Sequence, residues 1–285
     1  MRIKPEQLSQ HLKNQPASLY TLFGNEPLLI LEAADLIRNN ARQQGFTERA
    51  LFSIDQHFDW SVVLNAGNNL SLFGNRKIMD IRIPSGKPGK EGGKAIESYC
   101  QALPPDTLTL VTLPRIDKQG QATKWFKTLD TAGVMISVYA IERDQLPAWI
   151  EQRLARQQQK ADSASLQFIA DQVEGNLLAA HQEIQKLALL YPSGALTFDQ
   201  VKDVVLNVAR YDVFQLSDAM MAANTVRFAR VLTGLQGEGV APLLIVATLA
   251  EQIRQLIAIR TGLDHGQPPA QLLQAARIWK KKKKI

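Results

Sequence analysis

The sequence predicts a parallel-sheet α/β domain followed by two helical domains, and three observations carry that expectation. Strand-like and helix-like segments alternate between residues 18 and 140, strand signals stop after Ala140, and the segments beyond have helical apolar spacing. Ser18–Phe23 (SLYTLF) reads as a buried strand and Pro27–Gln44 as a helix, with Pro27 suited to a first helical position and Gly45 to a stop. Ala50–Ile54 is strand-like and Trp60–Leu70 helical. Lys77–Ile83 and Thr107–Leu113 are short β-branched-rich runs flanking a helical Lys94–Leu103. Lys124–Leu129 is helical, Val134–Ala140 closes the series as a strand, and the Gly/Lys-rich Ser85–Gly93 reads as a loop. Such alternation predicts a parallel sheet with helices on both faces.

Leu146–Gln158, Ser165–Val173, Leu177–Leu190 and Phe198–Leu206 follow as helices, the last with Thr197 as its N-cap. A further helical block spans Val213–Ile278, with breaks expected at Gly237-Glu238-Gly239 and at Gly262–Pro269. Three domains are therefore expected: residues 1–140 (α/β), 141–210 (small helical) and 211–285 (helical).

The chain has 285 residues, 45% of them hydrophobic and 21% charged, which fits a folded protein rather than a disordered one. Its single cysteine, Cys100, forms no internal disulfide and fits a reducing cytoplasm. Met1–Glu6 has no apolar core of a secretory signal, and the longest apolar stretch, Ala241–Ala250, is expected to be too short to span a bilayer, so no membrane association is expected. Of six net positive charges, five are Lys280–Lys284, so the rest of the chain carries only one. Bulk charge is thus a weak argument for nucleic-acid binding by the folded body.

The turn after the first strand reads Gly24-Asn25-Glu26-Pro27. A phosphate-binding loop needs glycines to aim backbone amides, a lysine to neutralise phosphate and a Ser/Thr to hold Mg²⁺. Here there is no lysine, Glu26 would repel phosphate at a helix N-terminus, and Pro27 removes a donor. No strand ends in an Asp-Glu pair able to hold magnesium, since Asp80 stands alone in Ile78-Met79-Asp80-Ile81. His11, His57, His181 and His265 have no metal-ligand spacing, and no Gly-x-Ser-x-Gly elbow occurs. No intrinsic catalytic site, cofactor or metal is expected.

The run Tyr20-Thr21-Leu22-Phe23-Gly24-Asn25-Glu26-Pro27-Leu28-Leu29-Ile30 resembles the opening signature of delta subunits of the bacterial DNA polymerase III clamp loader. Similarity continues through Phe52-Ser53-Ile54-Asp55, Leu70-Ser71-Leu72-Phe73 and Glu174-Gly175-Asn176-Leu177-Leu178 to Arg277-Ile278-Trp279, nearly the whole chain. The resemblance implies a degenerate AAA+-type domain, a helical lid and an all-α collar. In the lid, Leu178 stands where a clamp-loader ATPase would carry a phosphate-contacting arginine.

On the residues alone, core burial is the plainer reading of Leu72 and Phe73. The resemblance implies instead that this pair plugs a hydrophobic pocket on the sliding clamp (the beta subunit), with Leu70 and Ser71 flanking and Asn68 replacing a family-type glutamine. It implies further partners: the ATP-hydrolysing gamma/tau subunits and delta-prime through the collar, and primed DNA within the complex. Arg277 and Trp279 are possible DNA contacts, by phosphate pairing and base stacking; packing as core is the duller reading of Trp279. The collar is shorter than the family's, so the lysine-rich end reads equally as native, truncated or frameshifted. The function so implied is clamp opening as part of a DNA polymerase holoenzyme. Two alternatives stand beside it: an active ATPase of the same fold, and a DNA-binding protein acting through the basic end.

Overall fold

The structure is a computed structural model that describes residues 1–68, 76–205, 209 and 211–276. The chain divides into two compact units, Met1–Glu142 and Arg143–Ile285.

The first unit is a parallel sheet of β1 (Arg2–Ile3), β2 (Leu19–Gly24), β3 (Phe46–Ser53), β4 (Arg76–Arg82), β5 (Thr107–Pro114) and β6 (Val134–Val138), in the order β1-β6-β2-β5-β4-β3. Its helices are α1 (Leu8–Asn14), α2 (Pro27–Gln43), α3 (Ser61–Asn68), α4 (Gly89–Gln101), α5 (Lys118–Gln121) and α6 (Lys124–Ala132). Side chains alternate along β2. Tyr20 and Leu22 join a core with Leu12 of α1 and Ile37 of α2, while Leu19 and Phe23 join one with Ile96 of α4 and Phe126 of α6. Every residue of β2 is therefore buried, as a strand covered on both faces requires.

Three details depart from expectation. Strand β3 starts at Phe46 rather than Ala50, because an edge strand alternates half-buried with exposed residues and lacks the continuous apolar run of a central strand. The expected loop over Ser85–Gly93 ends early, at the start of α4. Gly92 sits inside that helix because a β-carbon there would lie 2.5 Å from Nε1 of Trp60, so the glycine permits close packing rather than a turn. Finally, β1 and α1 carry too few residues to announce themselves; β1 pairs with β6 over only two positions.

The second unit contains α7 (Leu146–Arg156), β7 (Gln159–Lys160), α8 (Ser163–Val173), α9 (Leu177–Leu190), β8 (Gly194–Ala195) and α10 (Phe198–Val204). It continues with α11 (Val213–Met221), α12 (Thr225–Gly237), α13 (Pro242–Asp264) and α14 (Pro269–Ala275). Thr197 caps α10 as expected, accepting from the Gln200 amide. Strands do not stop altogether after Ala140, since β7 and β8 form a two-residue parallel ladder.

The break expected at Gly262 falls later. Helix α13 runs through it to Asp264, and the leucine side chain of Leu272 occupies the space a β-carbon at Gly262 would need, 2.4 Å away. The apolar stretch at its start is thus part of a 23-residue helix. By length and composition, α13 is the one helix among the described residues that could cross a membrane. Only Ile245 and Gly262 of α13 are buried, and Leu243, Leu244, Val246, Ile253 and Ile257 are exposed.

Candidate functional site

The β2–α2 turn is bound to the sheet rather than open above it. A β-carbon at Gly24 would fall 1.5 Å from the Val138 carbonyl oxygen, so only glycine fits. The Asn25 amide donates to that carbonyl at 3.1 Å, and the Asn25 side-chain oxygen accepts from the Ala140 amide at 3.3 Å. Glu26 caps α2 by accepting from the Leu28 amide at 3.4 Å, and Pro27 has no amide to offer. Burial raises the Glu26 carboxyl above its ordinary range, and the bond from Leu28 opposes that rise. The amides of Asn25 and Leu28 are thus spent within the turn, and the helix N-terminus already faces a carboxyl group. Little is left to cradle a phosphate.

Asp80, on β4 two strands from β2, is fully buried and committed to arginines. Its Oδ2 accepts from Arg38 at 2.9 Å and from Arg49 at 2.5 Å, and Arg82 Nε lies 3.6 Å from Oδ1. Arg38 pairs also with Asp35 at 2.7 Å. A buried carboxylate is tolerable only when paired in this way. Among the described residues, no group of three or more His, Cys, Asp or Glu side chains is placed to hold a metal ion.

Beside the turn, between α2 and the carboxyl ends of β4 and β5, lies a cleft of about 710 Å³. Gly24, Asn25 and Pro27 line it with Ile30, Leu31, Ile83, Leu113 and the arginines Arg38, Arg82 and Arg115. Sequence reasoning missed these arginines, because nothing in their spacing marks them as neighbours.

In the second unit, Gly175 adopts a positive φ of 77° and Asn176 caps α9 by accepting from the Ala179 amide at 3.2 Å. Leu178 follows on α9 and is 48% exposed. Glu174 is nearly buried and bonded to Arg227 of α12 and, at 3.2 Å, to Arg143. Asp171 pairs with Arg143 at 2.7 Å and Arg230 at 2.9 Å. The segment singled out for its glycine is therefore also an ion-pair joint between α8 and α12.

Leu70, Ser71, Leu72, Phe73, Arg277 and Trp279 lie outside the described residues; Asn68 is the last residue of α3.

Residues 20–139 match the family model described as DNA polymerase III, delta subunit. The DNA polymerase III subunit delta of Escherichia coli (strain K12) is 30% identical over 283 residues, covering 99% of this chain and 82% of that protein. Its counterpart in Haemophilus influenzae is 30% identical over 261 residues, covering 90% of this chain and 76% of that protein. Among solved structures, the Bacillus subtilis DNA clamp loader delta protein has a similar fold, with a TM-score of 0.55 at 18% identity over 96% of this chain and 84% of that one.

Proposed function

The chain belongs to the DNA polymerase III delta-subunit family, and from that premise we propose that it binds and opens a sliding clamp without hydrolysing ATP. Its first unit is a parallel-sheet α/β fold of the AAA+ type. The observation that carries the ATP-independent half of the reading is the β2–α2 turn, whose Asn25 and Leu28 amides are engaged internally and whose helix is capped by Glu26. Opening then draws on binding energy: a surface that fits the open ring better than the closed one shifts the population toward open.

In this reading Leu72 and Phe73 enter a pocket on the clamp, flanked by Leu70, Ser71 and Asn68. Residues 141–210 act as lid and 211–285 as collar, and the protein works in the cytoplasm. The collar joins the ATP-hydrolysing gamma/tau subunits and delta-prime, and Arg277 and Trp279 reach primed DNA. Helix α13 supports the collar assignment. Leu243, Val246, Ile253 and Ile257 are exposed apolar residues, which suits a face that packs on other helices. The same helix carries the ion pairs Arg254–Glu251 and Arg260–Asp264, a pattern costly inside a bilayer and ordinary at a protein interface.

Calorimetric titration with a non-hydrolysable ATP analogue and Mg²⁺ tests the reading. No saturable heat is expected; a stoichiometric site of micromolar affinity would replace the proposal with an active ATPase.

A further inference from the structure

The proposed clamp opening makes no use of the cleft beside the β2–α2 turn, whose position and lining are those of a ligand site. In open parallel sheets, ligands bind at the carboxyl ends of strands where the connections diverge to opposite faces. That divergence occurs here between β2, which leads into α2 on one face, and β5, which leads to α6 on the other. The cleft opens at the ends of these two strands, lined by Gly24 and by Thr112 to Arg115. Its volume of about 710 Å³ is that of a small-molecule site.

The lining specifies the ligand's chemistry. Ile30, Leu31, Pro84 and Pro114 make the apolar walls, and Leu31 is 51% exposed. Arginines supply an uncompensated positive charge. Arg38, Arg49 and Arg82 surround the two carboxylates Asp35 and Asp80, leaving one charge over. Arg115 adds another, exposed and without an ion pair among the described residues. Asp80 anchors Arg38 deep in the site, and Arg82 keeps 44% of its side chain exposed.

We propose that this cleft binds a small anionic amphiphile, its apolar body against Leu31, Pro84 and Pro114 and its acidic head held by Arg82 and Arg115. Guanidinium groups suit carboxylate, sulfonate or phosphate heads. A nucleoside triphosphate is disfavoured, because the neighbouring turn has spent the amides of Asn25 and Leu28, has no amide at Pro27 and presents Glu26.

The test uses the full chain and the fluorescent probe 8-anilinonaphthalene-1-sulfonate, displaced by decanoate. The probe will also adhere to α13, so the decanoate-displaceable component is the quantity measured. The expected result is one displaceable site per chain, with decanol at least about tenfold weaker than decanoate. Arg115→Gln should weaken decanoate by about ten- to a hundredfold, Leu31→Glu should abolish displacement, and Leu243→Glu on α13 should leave it unchanged. Circular dichroism checks that the Leu31→Glu protein is folded; if it is not, Arg115→Gln decides alone. The proposal is overturned if Arg115→Gln leaves displacement unaltered, if Leu243→Glu removes it, or if ATP displaces the probe as well as decanoate does.

Discussion

Gly24 lies against the carbonyl of Val138, so close that a β-carbon would sit 1.5 Å from the oxygen. The contact locks the end of β2 to the end of β6, strands that are paired from Tyr20↔Val134 to Gly24↔Val138. Gly24→Ala should therefore destabilise the first unit by about 3 kcal/mol or more, since backbone must move. Gly45→Ala offers the contrast. Gly45 has φ of +89° and open space around it, so only conformational strain of about 1–2 kcal/mol is expected. Urea unfolding followed through Trp60 and Trp125 measures both.

The Glu174–Arg227 pair makes a second prediction. The Glu174 side chain is 5% exposed and that of Arg227 12%, so removing either leaves a poorly solvated charge. Glu174→Ala should cost about 3 kcal/mol, while the double variant Glu174→Ala/Arg227→Ala should cost less than the sum of the singles by about 1–3 kcal/mol. Additive costs in a double-mutant cycle would show the pair to be uncoupled.

Glu26 should impose a pH dependence of known sign. Its carboxyl is raised by burial, so the folded protein holds that proton more tightly than the unfolded chain. The stabilisation is full below the ordinary carboxylate range and is lost as pH rises through the raised value. Glu26→Gln keeps an acceptor for the Leu28 amide and cannot ionise. The variant's melting temperature should rise relative to the parent between about pH 4 and about pH 7. An unchanged difference would refute the assignment.

Cys100 should be unreactive. Burial pushes its thiol up to about 12, leaving little thiolate at neutral pH. Alkylation by iodoacetamide at about pH 8 should be slower than for free cysteine by roughly a thousandfold, and should recover on unfolding. Labelling within about tenfold of free cysteine would contradict this.

Much of the α/β unit was legible in the sequence because its central strands are buried on both faces. Leu19–Gly24 and Thr107–Pro114 are accordingly written as short runs of leucine, aromatic and β-branched residues without a charge, and Pro27 marks the start of α2. Edge and packing features were not legible. Gly92 and Gly262 read as loop residues, although each sits in a helix to admit the side chain of Trp60 or Leu272. The Gly24–Pro27 turn was legible as chemistry, through the missing lysine and the proline. Its attachment to Val138 was not, because that contact joins distant parts of the chain. The same holds for Asp80, which stood alone in sequence and meets Arg38 and Arg49 only once the sheet has formed, and for Glu174 with Arg227, 53 positions apart.

The proposed grip on a sliding clamp through Leu72 and Phe73 is tested most directly by one double substitution. Each side chain buried in a partner pocket contributes about 1.5–3 kcal/mol, so Leu72→Ala/Phe73→Ala should weaken clamp binding by about two to four orders of magnitude. Surface plasmon resonance on immobilised clamp and thermal unfolding by circular dichroism, measured on the same preparations, separate a binding role from a packing role. The account predicts lost binding with a melting curve near that of the parent. Clamp affinity within a few-fold of the parent, or a collapsed melting curve from a core cavity, would contradict it.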